Sequence, residues 1–283
     1  MIREYIAEDK KQLVDIVKQG IIIDMEDINF ITDNSNKIIV CDDNEAGILG
    51  FSTFRIWGKD KNKADIYTYV VPNSRNKGIG TLLYHEIMKS VDDINLEFIS
   101  TRIRLDKDDD ATSFYTKLGY EKWYVELVLY YHGSEQPKSS LNFIQYEDKY
   151  FEQYEEGLRT SFYELRKSND FQPYLCCEFN KEKRKEFLDN KENLFLLLIN
   201  EKLIASVIVY NNGSIGDMFV LPSYQGKGYG KKSMQFAINK AMGYGSNCIS
   251  LSAIEWNTRA VNLYQSLGFD IEQTTHYYRL FGA

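Results

Sequence analysis

The chain has 283 residues, of which 43% are hydrophobic and 27% charged, which are the proportions of an ordinary globular protein long enough for two domains. Its formal net charge of −7 argues against a nucleic-acid partner, which calls for an excess of lysine and arginine, and it fits weakly with a cationic substrate. No stretch approaches the roughly 18 consecutive apolar residues of a membrane span, and the first residues alternate like a strand, so we expect neither a membrane partner nor a signal peptide.

The four cysteines have neither disulfide nor metal-ligand spacing. Cys176 and Cys177 are adjacent, which seldom allows them to pair with each other, and Cys41 and Cys248 stand alone. The three histidines are scattered, with no H-x-x-x-H pair. We therefore expect reduced thiols in a cytoplasmic protein, and no metal site.

Hydrophobic periodicity predicts two similar series of strands and helices. The first series has strands at residues 1–6, 38–42, 48–57, 65–71, 97–103 and 122–131 and helices at 8–19, 78–91 and 109–118. A polar segment containing Gly, Pro and Ser, residues 132–140, follows it. The second series has strands at 143–146, 194–199, 203–210, 214–221, 248–254 and 274–280 and helices at 150–166, 181–189, 228–242 and 258–266. Because strands and helices alternate, each half is predicted to be an α/β sheet with helices on both faces.

Two motifs occur once in each half, in the same order. Residues 71–80 (V-P-N-S-R-N-K-G-I-G) are echoed by residues 221–230 (L-P-S-Y-Q-G-K-G-Y-G), so that Gly78 and Gly228 are 150 positions apart. Residues 114–120 (F-Y-T-K-L-G-Y) are echoed by residues 263–269 (L-Y-Q-S-L-G-F), and Tyr115 and Tyr264 are 149 positions apart. The nearly constant offset indicates a tandem duplication with one small insertion or deletion. We therefore predict two domains, at residues 1–133 and 140–283.

Each glycine-rich loop leaves a predicted buried strand and begins a helix. The first N–H groups of a helix lack intrahelical partners and, with the helix dipole, form an anion site. Gly226, Gly228 and Gly230 let the backbone approach a ligand closely, and basic side chains in both loops add positive charge. A pyrophosphate is the expected ligand, although neither loop has the spacing of the G-x-x-x-x-G-K-[ST] or G-x-G-x-x-G motif.

Both loops have the spacing Q/R-x-x-G-x-G after V-x-P, which resembles the acetyl-coenzyme A loop of the GCN5-related N-acetyltransferase (GNAT) superfamily. Residues 225–230 (Q-G-K-G-Y-G) match it fully, and residues 75–80 (R-N-K-G-I-G) match it with the Arg variant. Residues 257–269 resemble the family segment N-x-x-A-x-x-L-Y-x-x-x-G-F. In the first half this segment keeps Ala111, Tyr115 and Gly119 but has Asp108, Phe114 and Tyr120 in place of Asn, Leu and Phe.

The resemblance implies two tandem acyl-CoA N-acyltransferase domains, each a mixed twisted sheet flanked by helices, with acetyl-CoA as co-substrate and a small-molecule or peptide amine as acceptor. It implies that backbone groups of Met218, Phe219 and Val220 bind the pantetheine and the thioester carbonyl. The other expected cofactor-binding residues are Gln225, Gly226, Lys227, Gly228, Tyr229, Gly230, Lys231 and Asn257 in the second half and Arg75, Asn76, Lys77, Gly78 and Gly80 in the first. The alternative for Asn257 is that its side chain caps its own helix.

The reaction needs a base and a proton donor. An alkyl ammonium acceptor has a pKa near 10, so only about one molecule in a thousand is neutral at pH 7 and a base must remove the proton before attack. Asp217, an acid among apolar strand residues, is the candidate base, and the alternative is an exposed acid at a strand edge. The first half offers Tyr67 at that register and Asp65 two residues earlier. The resemblance gives Tyr264 the role of general acid toward the leaving thiolate and extends that role more weakly to Tyr115.

We favour one catalytic domain, the second, beside a degenerate first domain. The alternative function is a non-catalytic acyl-CoA-binding or sensing module, for which both acid–base sets would have to be defective. The acidic run at residues 106–110 is interpreted as a solvated loop with acids at a helix N-terminus. The identity of the amine and the oligomeric state do not follow from the sequence.

Overall fold

The computed structural model describes residues 1–20, 35, 37–43, 45, 47–58, 60–91, 94–104, 110–175 and 180–282. The chain forms two compact units, one built from residues 1–124 with 275–283 and the other from residues 125–274. Strands and helices alternate within each unit, as the periodicity predicts. The acidic run, except for Asp110, and the adjacent Cys176 and Cys177 lie outside the described residues, whereas Cys41 and Cys248 are free thiols.

The first unit is a mixed sheet with helices. Its elements are β1 (Ile2–Glu4), α1 (Lys10–Gly20), β2 (Lys37–Asp43), β3 (Gly47–Trp57), β4 (Lys63–Val70), α2 (Ile79–Met88), β5 (Phe98–Arg104) and α3 (Asp110–Lys117). Strands β1 to β4 pair antiparallel in chain order, and β4 pairs in parallel with β5 at only three positions, Lys63 to Asp65. The last strand of the chain, β13 (Asp270–Phe281), completes this sheet, because its residues from Thr275 onward pair antiparallel with β5.

The second unit holds two smaller sheets. Its elements are β6 (Glu121–Tyr131), β7 (Phe143–Gln145), α4 (Phe151–Ser168), α5 (Lys181–Asp189), β8 (Leu194–Ile199), β9 (Lys202–Ile208), β10 (Ser214–Ile215), β11 (Phe219–Val220), α6 (Tyr229–Gly243), β12 (Ile249–Ile254) and α7 (Thr258–Ser266). One sheet has the antiparallel order β11-β9-β8-β7. In the other, β12 lies between β10, to which it is parallel, and β6, to which it is antiparallel.

The central strand of the second unit is interrupted, which the sequence did not predict. Residues 214–221 read as one strand, but β10 and β11 are separated at residues 216–218; β10 pairs with β12 and bridges Val209 through Ile215, whereas β11 pairs with β9. Gly216 packs closely at the interruption, since a Cβ there would lie 3.2 Å from side-chain atoms of both Ile208 and Tyr210. The corresponding strand of the first unit, β4, is continuous from Lys63 to Val70. The interruption lies beside an opening between β11 and β12.

Each unit has its own apolar core. In the first, Leu83 and Ile87 of α2 pack with Ile99 of β5 and with Tyr278 of β13. In the second, the buried face of α6 packs on β6 and β12 through Met234, Ile238, Leu129 and Ile249. Fully burying such a side chain contributes about 1.5–3 kcal/mol. No helix among the described residues is both long enough and apolar enough to cross a bilayer.

The unit boundaries generate a folding prediction. A fragment of residues 1–133 lacks the β13 segment, so β5 keeps an unpaired edge and Tyr278 is missing from the core. We expect this fragment alone to show no cooperative thermal unfolding by circular dichroism, and a fragment with a linked copy of residues 270–283 to regain it. Cooperative unfolding of residues 1–133 alone would contradict the expectation. The domain boundaries 1–133 and 140–283 stay a prediction.

Candidate active site

A cavity of about 1140 Å³ lies in the second unit, where β10 and β11 separate. It is lined by the glycine loop, by the central strand segments and β12, by α7, and by α4 and α5. The predicted second-half residues that line it are Asp217, Met218, Phe219, Val220, Gln225, Gly226, Gly228, Gly230, Lys231, Asn257 and Tyr264. Lys227 and Tyr229 are not among its lining residues, and the first-half loop lies in the other unit.

The glycine loop of the second unit is closed by side chains bonding to its own backbone. Gln225 Nε2 donates to the Val220 carbonyl at 2.9 Å, and Lys227 Nζ donates to the Ser223 carbonyl at 3.0 Å. Gly226 and Gly228 have φ of +76° and +83°, a left-handed conformation that favours glycine. No protein atom lies within 4 Å of the position that a Cβ would take at either residue, so the space above the loop is open to a ligand.

The first-half loop reproduces this backbone with different side chains. Arg75 Nε donates to the Val70 carbonyl at 3.0 Å, in the way that Gln225 bonds to Val220. Lys77 Nζ donates to the Asn73 carbonyl at 3.0 Å, and the helix that follows Gly78 starts from a φ of +80°. Asn76 has a positive φ of 59°, where the second half has Gly226. The anion-site backbone is therefore kept in both units.

Tyr264 projects from α7 into the cavity of the second unit. Its side chain is buried except where it lines the cavity, and burial raises the pKa of its hydroxyl to about 12. Among the described residues, none forms a hydrogen bond with this hydroxyl, and its ring packs against Phe269. The phenol is held in position while its proton stays available to a ligand.

Tyr115, the counterpart of Tyr264, is engaged by its own strand. Its hydroxyl accepts a hydrogen bond from the Thr68 backbone N–H at 3.0 Å, and complete burial raises its pKa. Thr68 corresponds to Met218, 150 positions later, and within the described residues no acceptor is found for the Met218 N–H. In the first unit the phenol thus satisfies the N–H whose counterpart in the second unit belongs to Met218, a residue that lines the cavity.

Asp217 lies in the interruption between β10 and β11 and lines the cavity. Water reaches its side chain, but the surrounding protein atoms desolvate the carboxylate and raise its pKa, and the positive charge of Lys183 on α5 partly offsets that rise. The carboxylate of the first-unit acid, Asp65, is instead bonded to neighbouring side chains. It accepts hydrogen bonds from Trp57 Nε1 at 2.9 Å and Ser100 Oγ at 2.5 Å and forms an ion pair with Arg55.

Asn257 caps a helix. Its Oδ1 accepts a hydrogen bond from the Ala260 N–H at 3.3 Å at the start of α7, which is the alternative that the sequence left open. Two residues on, Arg259 Nη1 donates to Gln225 Oε1 at 2.5 Å, which links α7 to the glycine loop. Sequence reasoning missed Arg259, although it lies inside the recognised motif. A role of Asn257 in cofactor binding stays a prediction.

The wall formed by α4 was also missed. Leu158, Ser161, Phe162 and Leu165 line the cavity from one face of the helix, and their spacing is the one that a core-facing helix shows. The Ser161 Oγ is buried and has no hydrogen-bond partner within the described part of the chain. No group of three or more His, Cys, Asp or Glu side chains in the described residues is placed to hold a metal ion.

The acetyltransferase (GNAT) family model matches residues 4–120 and again residues 152–269. The chain belongs to this family. The double match confirms the predicted family and the predicted fold of two tandem GNAT domains. Members of the family use acetyl-CoA or another acyl-CoA and act on amines.

Comparison with individual proteins agrees with the family assignment. Over 65 residues the chain is 37% identical to the thialysine N-epsilon-acetyltransferase of Mus musculus, a match that spans 23% of this chain and only 38% of the mouse protein. A GCN5-related N-acetyltransferase from Sphaerobacter thermophilus superposes with a TM-score of 0.76 at 15% identity, covering 99% of this chain and 95% of that one. A tandem GNAT protein from the clavulanic acid biosynthesis pathway has a TM-score of 0.66 at 11% identity, over 100% and 98% of the two chains. At such identities the structures establish the fold alone.

The raised pKa of Asp217 generates a stability prediction. Because the folded state binds this proton more tightly than the unfolded state, the carboxylate destabilises the fold above its folded pKa, and the effect disappears below the ordinary aspartate value of about 3.9. We expect Asp217→Asn to raise the melting temperature at pH 8 and the gain to shrink as the pH falls toward 4. The matched control is Asp270→Asn at the exposed start of β13, which should change little. A lower melting temperature for Asp217→Asn at pH 8 would show that the carboxylate is a stabilising group.

Proposed function

We propose that the second unit transfers an acetyl group from acetyl-CoA to a primary amine by direct attack of the amine. The observation that carries the proposal is that one cavity brings together an open anion-binding loop, the available N–H of Met218, the carboxylate of Asp217 and the hydroxyl of Tyr264. The family supplies the class of reaction. The choice of acetyl group, of mechanism and of unit is our proposal.

The residues fit a bound acyl-CoA. The first N–H groups of α6 and the positive charge of Lys231 suit a diphosphate, and the open space over Gly226 and Gly228 lets it approach the backbone. The Met218 N–H suits a carbonyl oxygen of the pantetheine or of the thioester. Acetyl-CoA supplies the acetyl thioester that the amine attacks.

Asp217 is proposed as the base. Because desolvation raises its pKa, it is a stronger base than an exposed aspartate and better matched to an ammonium of pKa near 10. A general base of this kind contributes roughly 10²–10⁴-fold to the rate. The positive charge of Lys183 partly offsets this rise of the Asp217 pKa and favours the ionised form, which is the form that accepts the proton.

Tyr264 is proposed to donate a hydrogen bond to the leaving sulfur. Because burial raises the pKa of Tyr264 to about 12, it is a weaker acid than a thiol of pKa about 8.5, and complete proton transfer to the leaving thiolate is unfavourable. A donor that stays protonated still stabilises negative charge as it develops on sulfur. The family resemblance implies a general acid at this position. We propose that Tyr264 donates a hydrogen bond to the leaving sulfur and keeps its proton.

We propose that the first unit does not turn over. Its phenol is bonded to the Thr68 N–H, its acid is paired with Arg55, and its central strand is continuous. An entirely non-catalytic module would need the same defects in the second unit, where Tyr264 and Met218 remain available. The loop from Arg75 to Gly80 keeps an anion-site backbone, so cofactor binding there remains a separate prediction.

Cofactor binding is tested at the start of α6. Alanine at Gly228 must adopt a φ of +83°, which costs roughly 1–2 kcal/mol and displaces the loop. We expect Gly228→Ala to weaken acetyl-CoA binding at least about tenfold by calorimetry. Gly243→Ala, at the other end of the same helix and with open space around it, is the matched control and should leave the affinity unchanged. Equal affinities for both variants would remove this loop from the cofactor site.

The two motif tyrosines should respond in opposite ways to loss of the hydroxyl. Tyr264→Phe removes a transition-state donor and should slow acetyl transfer by about 10²–10³ while leaving stability nearly unchanged, because no described residue bonds to that hydroxyl. Tyr115→Phe removes the hydrogen-bond acceptor of the Thr68 N–H. It should lower the free energy of unfolding by about 1–3 kcal/mol and change the rate of acetyl transfer only a few-fold. Both variants are measured by thiol release at saturating amine and by urea unfolding. Equal rate losses would indicate two working sites, and a loss confined to Tyr115→Phe would assign turnover to the first unit.

A further inference from the structure

Arg166 is a cation on the cavity wall that neither the family motifs nor the proposed chemistry uses. It lies near the end of α4 and lines the cavity together with Phe162 and Phe171. Its Nε donates to the Pro173 carbonyl at 2.6 Å, and its guanidinium carbon lies 4.4 Å from the centre of the Phe171 ring. Two contacts of different kinds therefore fix the plane of the guanidinium group.

The remaining donors of Arg166 are not used. Within the described residues, neither Nη atom has a hydrogen-bond acceptor and no carboxylate pairs with the group, although a guanidinium is charged at every physiological pH. Two other arginines of the second unit are neutralised: Arg184 binds Asp148 through two nitrogens, and Arg159, on the same helix as Arg166, pairs with Glu155 at 3.1 Å. Among the described residues, the two Nη groups of Arg166 therefore remain available to a ligand in the cavity, and no carboxylate neutralises their positive charge.

The anion for these two Nη groups is not expected to be the cofactor diphosphate. That group has its own cations, Lys231 on α6 and Arg259 on α7, beside the glycine loop. Arg166 belongs to α4, whose cavity face carries Phe162 and Leu165, which is suited to the organic part of an acceptor. A guanidinium fork matches the two oxygens of a carboxylate through parallel N–H···O bonds.

We propose that the acceptor is an amine that also bears a carboxylate, with the carboxylate bound by Arg166 and the ammonium directed to Asp217. This inference rests on the proposed function for the role of Asp217, but the binding of the carboxylate does not depend on turnover. Arg166 is accordingly a specificity residue and takes no part in bond making. An amino acid should bind better than the amine that differs from it only by loss of the carboxylate.

The test uses such matched pairs: L-lysine with cadaverine, L-ornithine with putrescine, and L-phenylalanine with phenethylamine. Binding is measured by calorimetry on the full chain, with and without CoA, and kcat/KM is measured with acetyl-CoA. In the wild type we expect at least one amino acid to exceed its partner by about 10- to 100-fold, the range of a charge-assisted hydrogen-bonded pair. Arg166→Met should abolish that preference by raising KM for the amino acid, while the carboxylate-free amine and the KM for acetyl-CoA stay within about twofold.

Two further variants separate recognition from structure. Arg159→Met removes the same charge from the same helix outside the cavity and should keep the wild-type preference. Arg166→Lys keeps the charge without the fork and should give an intermediate preference. Equal or better binding of the carboxylate-free amine in every pair, or equal losses for both members in Arg166→Met, would overturn the proposal. Because binding is also read without acetyl-CoA, absence of acetyl transfer together with Arg166-dependent amino-acid binding would refute the proposed function and leave this inference standing.

Discussion

A backbone N–H cannot be satisfied by its own protein and also be offered to a ligand, and this constraint governs both units. Leaving a buried N–H without an acceptor costs about 1–3 kcal/mol. In the first unit the cost is avoided, because the Tyr115 hydroxyl accepts the Thr68 N–H. In the second unit the strand is interrupted at residues 216–218, Met218 lines the cavity, and among the described residues the Tyr264 hydroxyl has no hydrogen-bond partner. Tyr264 therefore lines a cavity beside the interruption, whereas Tyr115 is bonded to its own strand.

The same sequence motif accordingly has two structural outcomes. Both tyrosines are buried, and each glycine loop is closed by a side chain that bonds to the preceding strand. What differs is whether the adjacent strand continues. The acids of the two central strands differ in the same way. Asp65 lies in the continuous strand and is paired with Arg55, whereas Asp217 lies in the interruption. Motif matching alone cannot separate the two cases, because the deciding feature lies about 47 residues before the tyrosine, in the hydrogen bonding of another element.

Sequence reasoning succeeded where the physics is local. The glycines that need a positive φ, the unpaired N–H groups at a helix start and the apolar periodicity of α6 are all readable within a few residues, and they led to the loops, the duplication and the family. It failed where the outcome depends on distant partners. An apolar run such as residues 214–221 reads as a strand whether or not its neighbours let it continue, and nothing near β13 indicates that its end pairs with β5. The α4 wall was missed because Leu158, Phe162 and Leu165 have the spacing of ordinary core residues.

The two units differ in how the polar residues of their motifs are bonded. In the first, Asp65 is hydrogen-bonded and ion-paired, and the Thr68 N–H has an acceptor. In the second, within the described residues, the hydroxyls of Tyr264 and Ser161 and the Nη atoms of Arg166 have no protein partner, and nearby protein atoms desolvate the Asp217 carboxylate. A ligand in the cavity that bonds to these groups would stabilise the folded protein.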